Sequence, residues 1–102
     1  MAKTTQIHVT ATDNEIYIIA STPAGSSELC HLKSGYFNPV NYSFTPSSIL
    51  APGTYDLTVV GINWGGPGAC IVTLTGGPAL PPFPSGPAPV GVFYKETVSI
   101  TV

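Results

Sequence analysis

Apolar and polar residues alternate at every second position in several short stretches of the chain, which is the period of a half-buried β-strand. The clearest stretches are residues 54–62 and 69–75. Because only a short loop separates them, the pattern predicts an antiparallel hairpin. We expect the four apolar side chains on its inner face to be buried together: Leu57, Val59, Val72 and Leu74.

The loop between these two stretches, residues 63–68, cannot extend either strand. Three of its residues are glycines, which allow positive φ, and Pro67 has no N–H to donate to a neighbouring strand. The loop also holds Trp64, the only tryptophan of the chain. The pattern therefore predicts that Trp64 lies at the tip of the hairpin.

A similar alternation in residues 5–11 and 15–21 predicts a first hairpin, with its turn at Asp13-Asn14. Residues 15–21 are apolar on both faces. This indicates a strand in the centre of a sheet, or one that a neighbouring subunit covers. The inner face of the earlier stretch should hold Ile7, Val9 and Ala11.

Further segments complete the pattern. Residues 28–33 fit either a short strand or one helical turn that begins after Ser27, and the β pattern on both sides favours the strand. Residues 40–45 and 92–102 alternate as strands. Residues 76–91, which we call the proline arm, hold six of the eleven prolines, so this segment cannot be a central strand.

Roughly seven short strands, with turn signals about every 8–12 residues, are typical of all-β sandwiches. No internal repeat divides the chain, and its length suits one domain. We therefore predict a single domain over residues 1–102. Its fold should be an antiparallel β-sandwich that is immunoglobulin-like or jelly-roll-like.

Residues 50–66, LAPGTYDLTVVGINWGG, resemble the corner and the following strand of fibronectin type III and immunoglobulin-like domains. In those domains a Pro-Gly turn leads to a tyrosine and then to an alternating strand. The resemblance implies that Tyr55 takes the role of the corner tyrosine. The chain departs from the immunoglobulin pattern in its Cys–Trp–Cys spacing, because Trp64 follows the strand, and the proline arm is foreign to it.

Charge is scarce, and this changes which partners are reasonable. Only 8% of the residues are charged, against about 25% in ordinary soluble domains, and the net charge is −2 with no arginine. These values argue against nucleic acid and against anionic membranes as partners. The beginning of the chain has no apolar segment of a signal peptide, so we expect cytoplasmic synthesis. A surface of hydroxyls and amides suits a neutral partner, such as a sugar or a second copy.

No catalytic motif is present, so the sequence predicts a non-enzymatic protein without a cofactor. Cys30 and Cys70 could form one disulfide, but we expect free thiols in the absence of a signal peptide. Together with His8 and His31 they are residue types that bind zinc. Their spacing fits no known finger or knuckle, so we predict no metal site.

Two functions remain as hypotheses. The first is a structural or self-associating module, such as a coat, appendage or inclusion component, which forms a homo-oligomer through the apolar residues Leu80, Phe83 and Val90 of the proline arm. The alternative is a small lectin that binds a neutral glycan with aromatic and amide side chains in loops. Its candidate ligand-binding residues are Tyr36, Phe37, Asn38, Asn41, Asn63 and Trp64.

Overall fold

The computed structural model describes residues 3–33 and 40–102, which form eight β-strands and one short 3₁₀ turn at Pro46–Ser48. No helix in the described part of the chain is long and apolar enough to cross a membrane. The prediction of an all-β sandwich is confirmed. The strands are β1 (Gln6–Asp13), β2 (Glu15–Thr22), β3 (Gly25–Lys33), β4 (Tyr42–Phe44), β5 (Thr54–Asn63), β6 (Gly68–Thr75), β7 (Phe83–Gly86) and β8 (Gly91–Thr101).

The strands form two antiparallel sheets of four strands each. One sheet has the order β4-β1-β6-β7 and is called the β1 sheet here. The other has the order β3-β2-β5-β8 and is called the β2 sheet. Between them lies one hydrophobic core, which is built from the inward residues of both sheets. The four side chains that were predicted to be buried together all belong to it: Leu57, Val59, Val72 and Leu74.

The predicted pairing of the strands was wrong at both hairpins. β5 pairs with β2 and β8, and β6 pairs with β1 and β7, so residues 54–62 and 69–75 lie in different sheets. β1 and β2 are likewise divided between the two sheets. The reason is that alternation shows which face of a strand is buried but not which strand lies beside it. Both connections cross from one sheet to the other instead of turning back within a sheet.

A β-bulge in β1 also changes which face of the sheet Ala11, a predicted inner residue, lies on. The pairing of β1 with β6 is regular up to Val9 and resumes at Ala11. The extra residue shifts the alternation by one, so Thr12 is buried while Ala11 is only half-buried. Ile7 and Val9 lie in the core as predicted.

A tight hairpin joins β2 to β3. Residues 28–33 are a strand, as predicted, but this strand begins earlier, at Gly25, and only Pro23 and Ala24 form the turn. Residues 40–45 contain the three-residue strand β4. Tyr55 lies at the start of β5, and its hydroxyl donates a hydrogen bond to Ala51 O at 2.7 Å. This is the contact that a corner tyrosine makes.

The proline arm closes one side of the sandwich. Its strand β7 is the edge of the β1 sheet, which agrees with the prediction that the arm is not a central strand. Leu80 is buried in the core, and Phe83 packs edge to face against Phe93 with ring centroids 5.0 Å apart. The Tyr94 hydroxyl donates to Pro81 O at 2.7 Å. The arm therefore joins the end of the β1 sheet to β8 of the other sheet.

We expect Leu57→Ala to lower the free energy of unfolding by about 2–5 kcal/mol, because Leu57 is completely buried and its loss leaves a cavity. Chemical denaturation monitored by circular dichroism measures the change. Asp56→Ala is the matched control on the exposed face of the same strand, with an expected change within about 0.5 kcal/mol. Equal effects of the two substitutions would contradict the assigned facing.

Candidate functional site

The outer face of the β2 sheet carries an apolar patch. The registers of the sheet bring outward side chains of β2, β5 and β8 together in adjacent rows. Four of the five are half-buried in the single chain, and the fifth, Val92, is 57% exposed. A large apolar patch on a small soluble domain usually marks a binding surface. The apolar patch consists of Tyr17, Ile19, Val60, Ile62 and Val92.

One carboxylate holds three aromatic side chains at the end of this face. Glu15 Oε1 accepts a hydrogen bond from Trp64 Nε1 at 2.8 Å. Its Oε2 accepts hydrogen bonds from His31 Nε2 at 2.5 Å and from the Tyr17 hydroxyl at 3.1 Å. These four residues, which we call the aromatic cluster, come from β2, β3 and the β5–β6 loop. A single side chain therefore ties three segments together.

The rings of Tyr17 and His31 add a second contact within the aromatic cluster. The two residues are direct cross-strand partners in β2 and β3. Their rings stack with centroids 4.0 Å apart and planes inclined by 14°. Stacked pairs of this kind stabilise neighbouring strands beyond the area that they bury. The stack holds both rings in place beside the carboxylate.

Hydrogen bonds keep the Glu15 carboxyl in its ionised form. The donors of Trp64 and His31 lower its pKa most, and Tyr17 and the charge of Lys33 lower it further. Burial acts in the opposite direction, and the net result is a fall from 4.5 to about 2. Burial is the main cause that raises the pKa of Tyr17, followed by the contact with Glu15. Both oxygens of Glu15 are engaged, so it serves as an anchor and is poorly suited to proton transfer.

Trp64 is exposed and yet held in place. Its side chain is 62% exposed, although its Nε1 is bonded to Glu15 and its backbone N–H donates to Asn14 Oδ1 at 2.7 Å. Gly66 allows the loop to turn with φ +71°. An aromatic ring that is fixed before binding loses little conformational entropy when a partner covers it. Among the described residues of the predicted site, Trp64 is therefore the one best organised to receive a ligand.

The structure gives Asn63 a role inside the loop. Asn63 is completely buried, and its Nδ2 donates to Gly66 O at 2.9 Å and to Ala88 O at 3.1 Å. Its Oδ1 accepts from the Gly65 N–H at 3.2 Å. The amide thus joins the β5–β6 loop to the proline arm and is not presented to solvent. We leave Asn63 out of the candidate site for this reason.

Among the described residues, the predicted Asn41 does not join Trp64 either. Asn41 is exposed, but its Oδ1 lies 2.5 Å from Nε2 of His8, which belongs to the β1 sheet. The hydrogen bonds of Asn41 and Trp64 therefore lead to different sheets. The remaining three residues lie outside the described part of the chain: Tyr36, Phe37 and Asn38.

The three residues of the proline arm that were predicted to mediate self-association differ in how exposed they are. Leu80 is buried within its own chain, where it belongs to the core. Phe83 is half-buried against Phe93. Val90 is 70% exposed and is the only one of the three that is freely available to a partner.

The two cysteines are free, as predicted, and both are buried. Cys30 lies in the β2 sheet and Cys70 in the β1 sheet. Burial raises the pKa of Cys70 to about 12, and burial followed by the charge of Glu28 raises that of Cys30. Both thiols are therefore poor nucleophiles. In residues 3–33 and 40–102, no three His, Cys, Asp or Glu side chains are grouped so that they could hold a metal ion.

Comparison with known proteins finds no match to a family model, to a curated protein or to a solved structure. The geometry of the described residues is therefore the basis for inferring a function.

The aromatic cluster should make the stability of the fold depend on pH. Because the pKa of Glu15 is lower in the folded chain than its usual 4.5, its contribution is present above pH 4.5 and is lost as the pH falls toward about 2. We expect Glu15→Gln to be less stable at neutral pH and to lose less stability over this acidic range. Denaturant unfolding at a series of pH values measures both effects.

Glu28, which is exposed, provides the control. The Glu28→Gln chain should lose as much stability at acidic pH as the wild-type chain does. If Glu15→Gln and the wild-type chain had parallel pH profiles, Glu15 would not be the anchor of the cluster.

Proposed function

We propose that this protein is a non-enzymatic structural module that associates with copies of itself through the β2 sheet. The observation that carries the proposal is the apolar patch, because its side chains lie on the outer face of a two-layer fold. The hydrophobic effect favours covering such a surface. The low charge of the chain supports the same function, since few like charges would oppose contact between copies.

The area of the outer face of the β2 sheet gives the size of the interface that two copies could form. With strands about 4.8 Å apart and about 3.4 Å per residue, four strands of the length of β2 present on the order of 500 Å². Two copies packed face to face would bury on the order of 1,000 Å², which is the lower end of specific interfaces. Association through the apolar patch should therefore depend on protein concentration.

The absence of catalysis is part of the proposal. Its support is that the one buried carboxylate and both thiols among the described residues are engaged or shielded. Both oxygens of Glu15 accept hydrogen bonds, and the thiols of Cys30 and Cys70 are buried with raised pKa values. A carboxylate whose two oxygens are hydrogen-bonded is poorly placed for proton transfer, and a buried thiol with a raised pKa is a poor nucleophile.

We further propose that the fold is related to fibronectin type III and immunoglobulin-like sandwiches. The corner hydrogen bond of Tyr55 supports this relation. In those folds the corner tyrosine lies on strand F, between strands C and G, and strand B lies beside strand E. β5 lies between β2 and β8 here, and β1 lies beside β4, which is the same arrangement. The pair β6–β7 then stands between F and G in the chain and occupies the side of B that strand A takes in those folds.

We expect the double substitution Val60→Lys and Val92→Lys to shift the protein toward smaller assemblies, because it places two charges in the apolar patch. Sedimentation velocity over a range of concentrations measures the shift, and circular dichroism checks that the β-fold is kept. The matched control, Thr73→Lys with Thr75→Lys, adds the same charges to the exposed face of β6 and should change nothing. A wild-type chain that stays monomeric at high concentration would overturn the proposed function.

Carbohydrate binding is the second candidate, and the fixed, exposed ring of Trp64 favours it. Sugar rings have an apolar face that packs on aromatic rings, and their hydroxyls bond to nearby polar groups. Hydrogen bonds to Glu15 and Asn14 hold the ring open to solvent, as such packing requires. The neutral surface of the chain suits an uncharged glycan.

A glycan array followed by titration tests this candidate. We expect a bound neutral glycan to change the fluorescence of Trp64 and Trp64→Ala to abolish binding, because the ring supplies the packing surface. Tyr42→Ala is the control, since Tyr42 is also exposed but lies in the β1 sheet. Binding that survives Trp64→Ala, or the absence of any bound glycan, would remove this candidate.

A further inference from the structure

The four edge strands of the sandwich differ in how well they are protected from pairing with another chain. Short length, proline and bulges protect a sheet edge. β4 has only three residues, and β7 has four, of which Pro84 lacks an N–H. β3 has a bulge at Leu29. β8 has eleven residues and pairs regularly with β5 from Tyr94 onward.

The hydrogen bonds at the end of β8 show which of its backbone groups face outward. Gly53 and Val102 exchange two N–H···O bonds, of 2.8 and 3.0 Å, so Val102 directs its backbone groups toward β5. In an antiparallel pair this direction alternates from residue to residue. The hydroxyls of Thr58 and Thr97 lie 3.0 Å apart, which fits the closer, non-hydrogen-bonded type of pair. The residues whose N–H and C=O point away from β5 are therefore Lys95, Thr97, Ser99 and Thr101.

One of these four residues already has a partner at the free edge. Thr101 O accepts a hydrogen bond from the Thr4 N–H at 2.8 Å. Lys95, Thr97 and Ser99 are exposed, and no other strand among the described residues pairs with this edge. Unpaired groups of this kind are a template for another extended chain.

We propose that β8 pairs antiparallel with β8 of a second copy, centred on Thr97, so that two β2 sheets become one sheet of eight strands. In this register Thr97 lies opposite the second copy's Thr97, and Lys95 lies opposite its Ser99. Three pairs that each exchange two backbone bonds supply about six hydrogen bonds. On the inner side, Glu96 lies opposite Val98, so no like charges are opposed.

Neighbouring registers are disfavoured for reasons that the structure shows. Centring the pair on Lys95 or on Glu96 places two identical charges directly opposite each other, which destabilises a β-pair. Centring it on Val98 or on Ser99 requires the backbone groups of Thr101, whose carbonyl is bonded to Thr4. A lysine in an edge strand commonly discourages pairing, but opposite a serine it meets no like charge.

This contact is separate from the apolar patch. Its two-fold axis runs perpendicular to the joined sheet, so the patches of both copies lie on the same side of it. One symmetric contact closes a dimer, whereas two different contacts on one chain allow a larger assembly. The edge contact therefore gives the proposed self-association a second interface. This inference rests on the proposed function only because both take a second copy of the chain as the partner.

Cysteine cross-linking tests the register. In the background of Val60→Lys with Val92→Lys, which removes the contribution of the patch, Thr97→Cys should form a covalent dimer under mild oxidation. Opposed residues of a hydrogen-bonded pair have Cα atoms about 5.5 Å apart, within the range of a disulfide. Lys95→Cys alone should not cross-link, because its counterpart lies about 13 Å away along the strand. A mixture of Lys95→Cys and Ser99→Cys chains should cross-link as a heterodimer.

A proline at the centre gives the second measurement. Thr97→Pro removes an N–H that points away from β5, so the internal ladder keeps its bonds while the edge contact loses two. We expect its sedimentation to shift from dimer to monomer in the same background. Failure of Thr97→Cys to cross-link, or equal cross-linking by Lys95→Cys, would overturn the inference. If Val60→Lys with Val92→Lys left the association of the chain unchanged while Thr97→Cys still cross-linked, only the proposed function would be overturned.

Discussion

A two-layer sandwich has one core, and each sheet can bury only one of its faces in it. This constraint governs the molecule because β2 and β5 are apolar on both faces. Their inner side chains, such as Ile18 and Leu57, are completely buried between the sheets. Their outer side chains have no third layer to cover them. The apolar patch is thus a consequence of fold geometry, and it leaves surface whose burial a second copy could provide.

A connected group of side-chain hydrogen bonds lies at the end of the sandwich where the chain passes from β1 to β2 and from β5 to β6. Glu15 stands at the beginning of β2, immediately after the crossing from β1. Its carboxylate binds a ring from β3 and a ring from the β5–β6 loop. A buried carboxylate is costly unless donors satisfy it, so the aromatic cluster both stabilises the anion and holds the rings. Trp64 can therefore be exposed to solvent and still be held in one position.

The proline arm and β8 together form one side of the sandwich, where β7 is the edge of one sheet and β8 is the edge of the other. The arm seals the open side of the core with Leu80 and Phe83, and Tyr94 of β8 bonds to its backbone. Prolines suit this position because they need no ladder partner and protect the edge at β7. β8 lacks such protection over Lys95, Thr97 and Ser99. Within the described chain the two sheets therefore end differently, one at a short edge that contains proline and the other at a long open one.

The periodicity of the sequence determined that the chain is all-β, where most strands lie and which side chains enter the core, because alternation directly reflects one-sided burial. The prolines also marked residues 76–91 as unable to form a central strand. Strand pairing depended on tertiary structure: residues 54–62 and 69–75 are close in sequence, yet each found better partners in a different sheet.

The aromatic cluster could not be inferred either, since Glu15 and Trp64 are 49 positions apart and only the crossing loops bring them together. Asn63 and Trp64 looked equivalent as neighbours in one loop. The fold buried one amide to hold the loop and left the adjacent ring in solvent, because successive residues leave a strand on opposite sides.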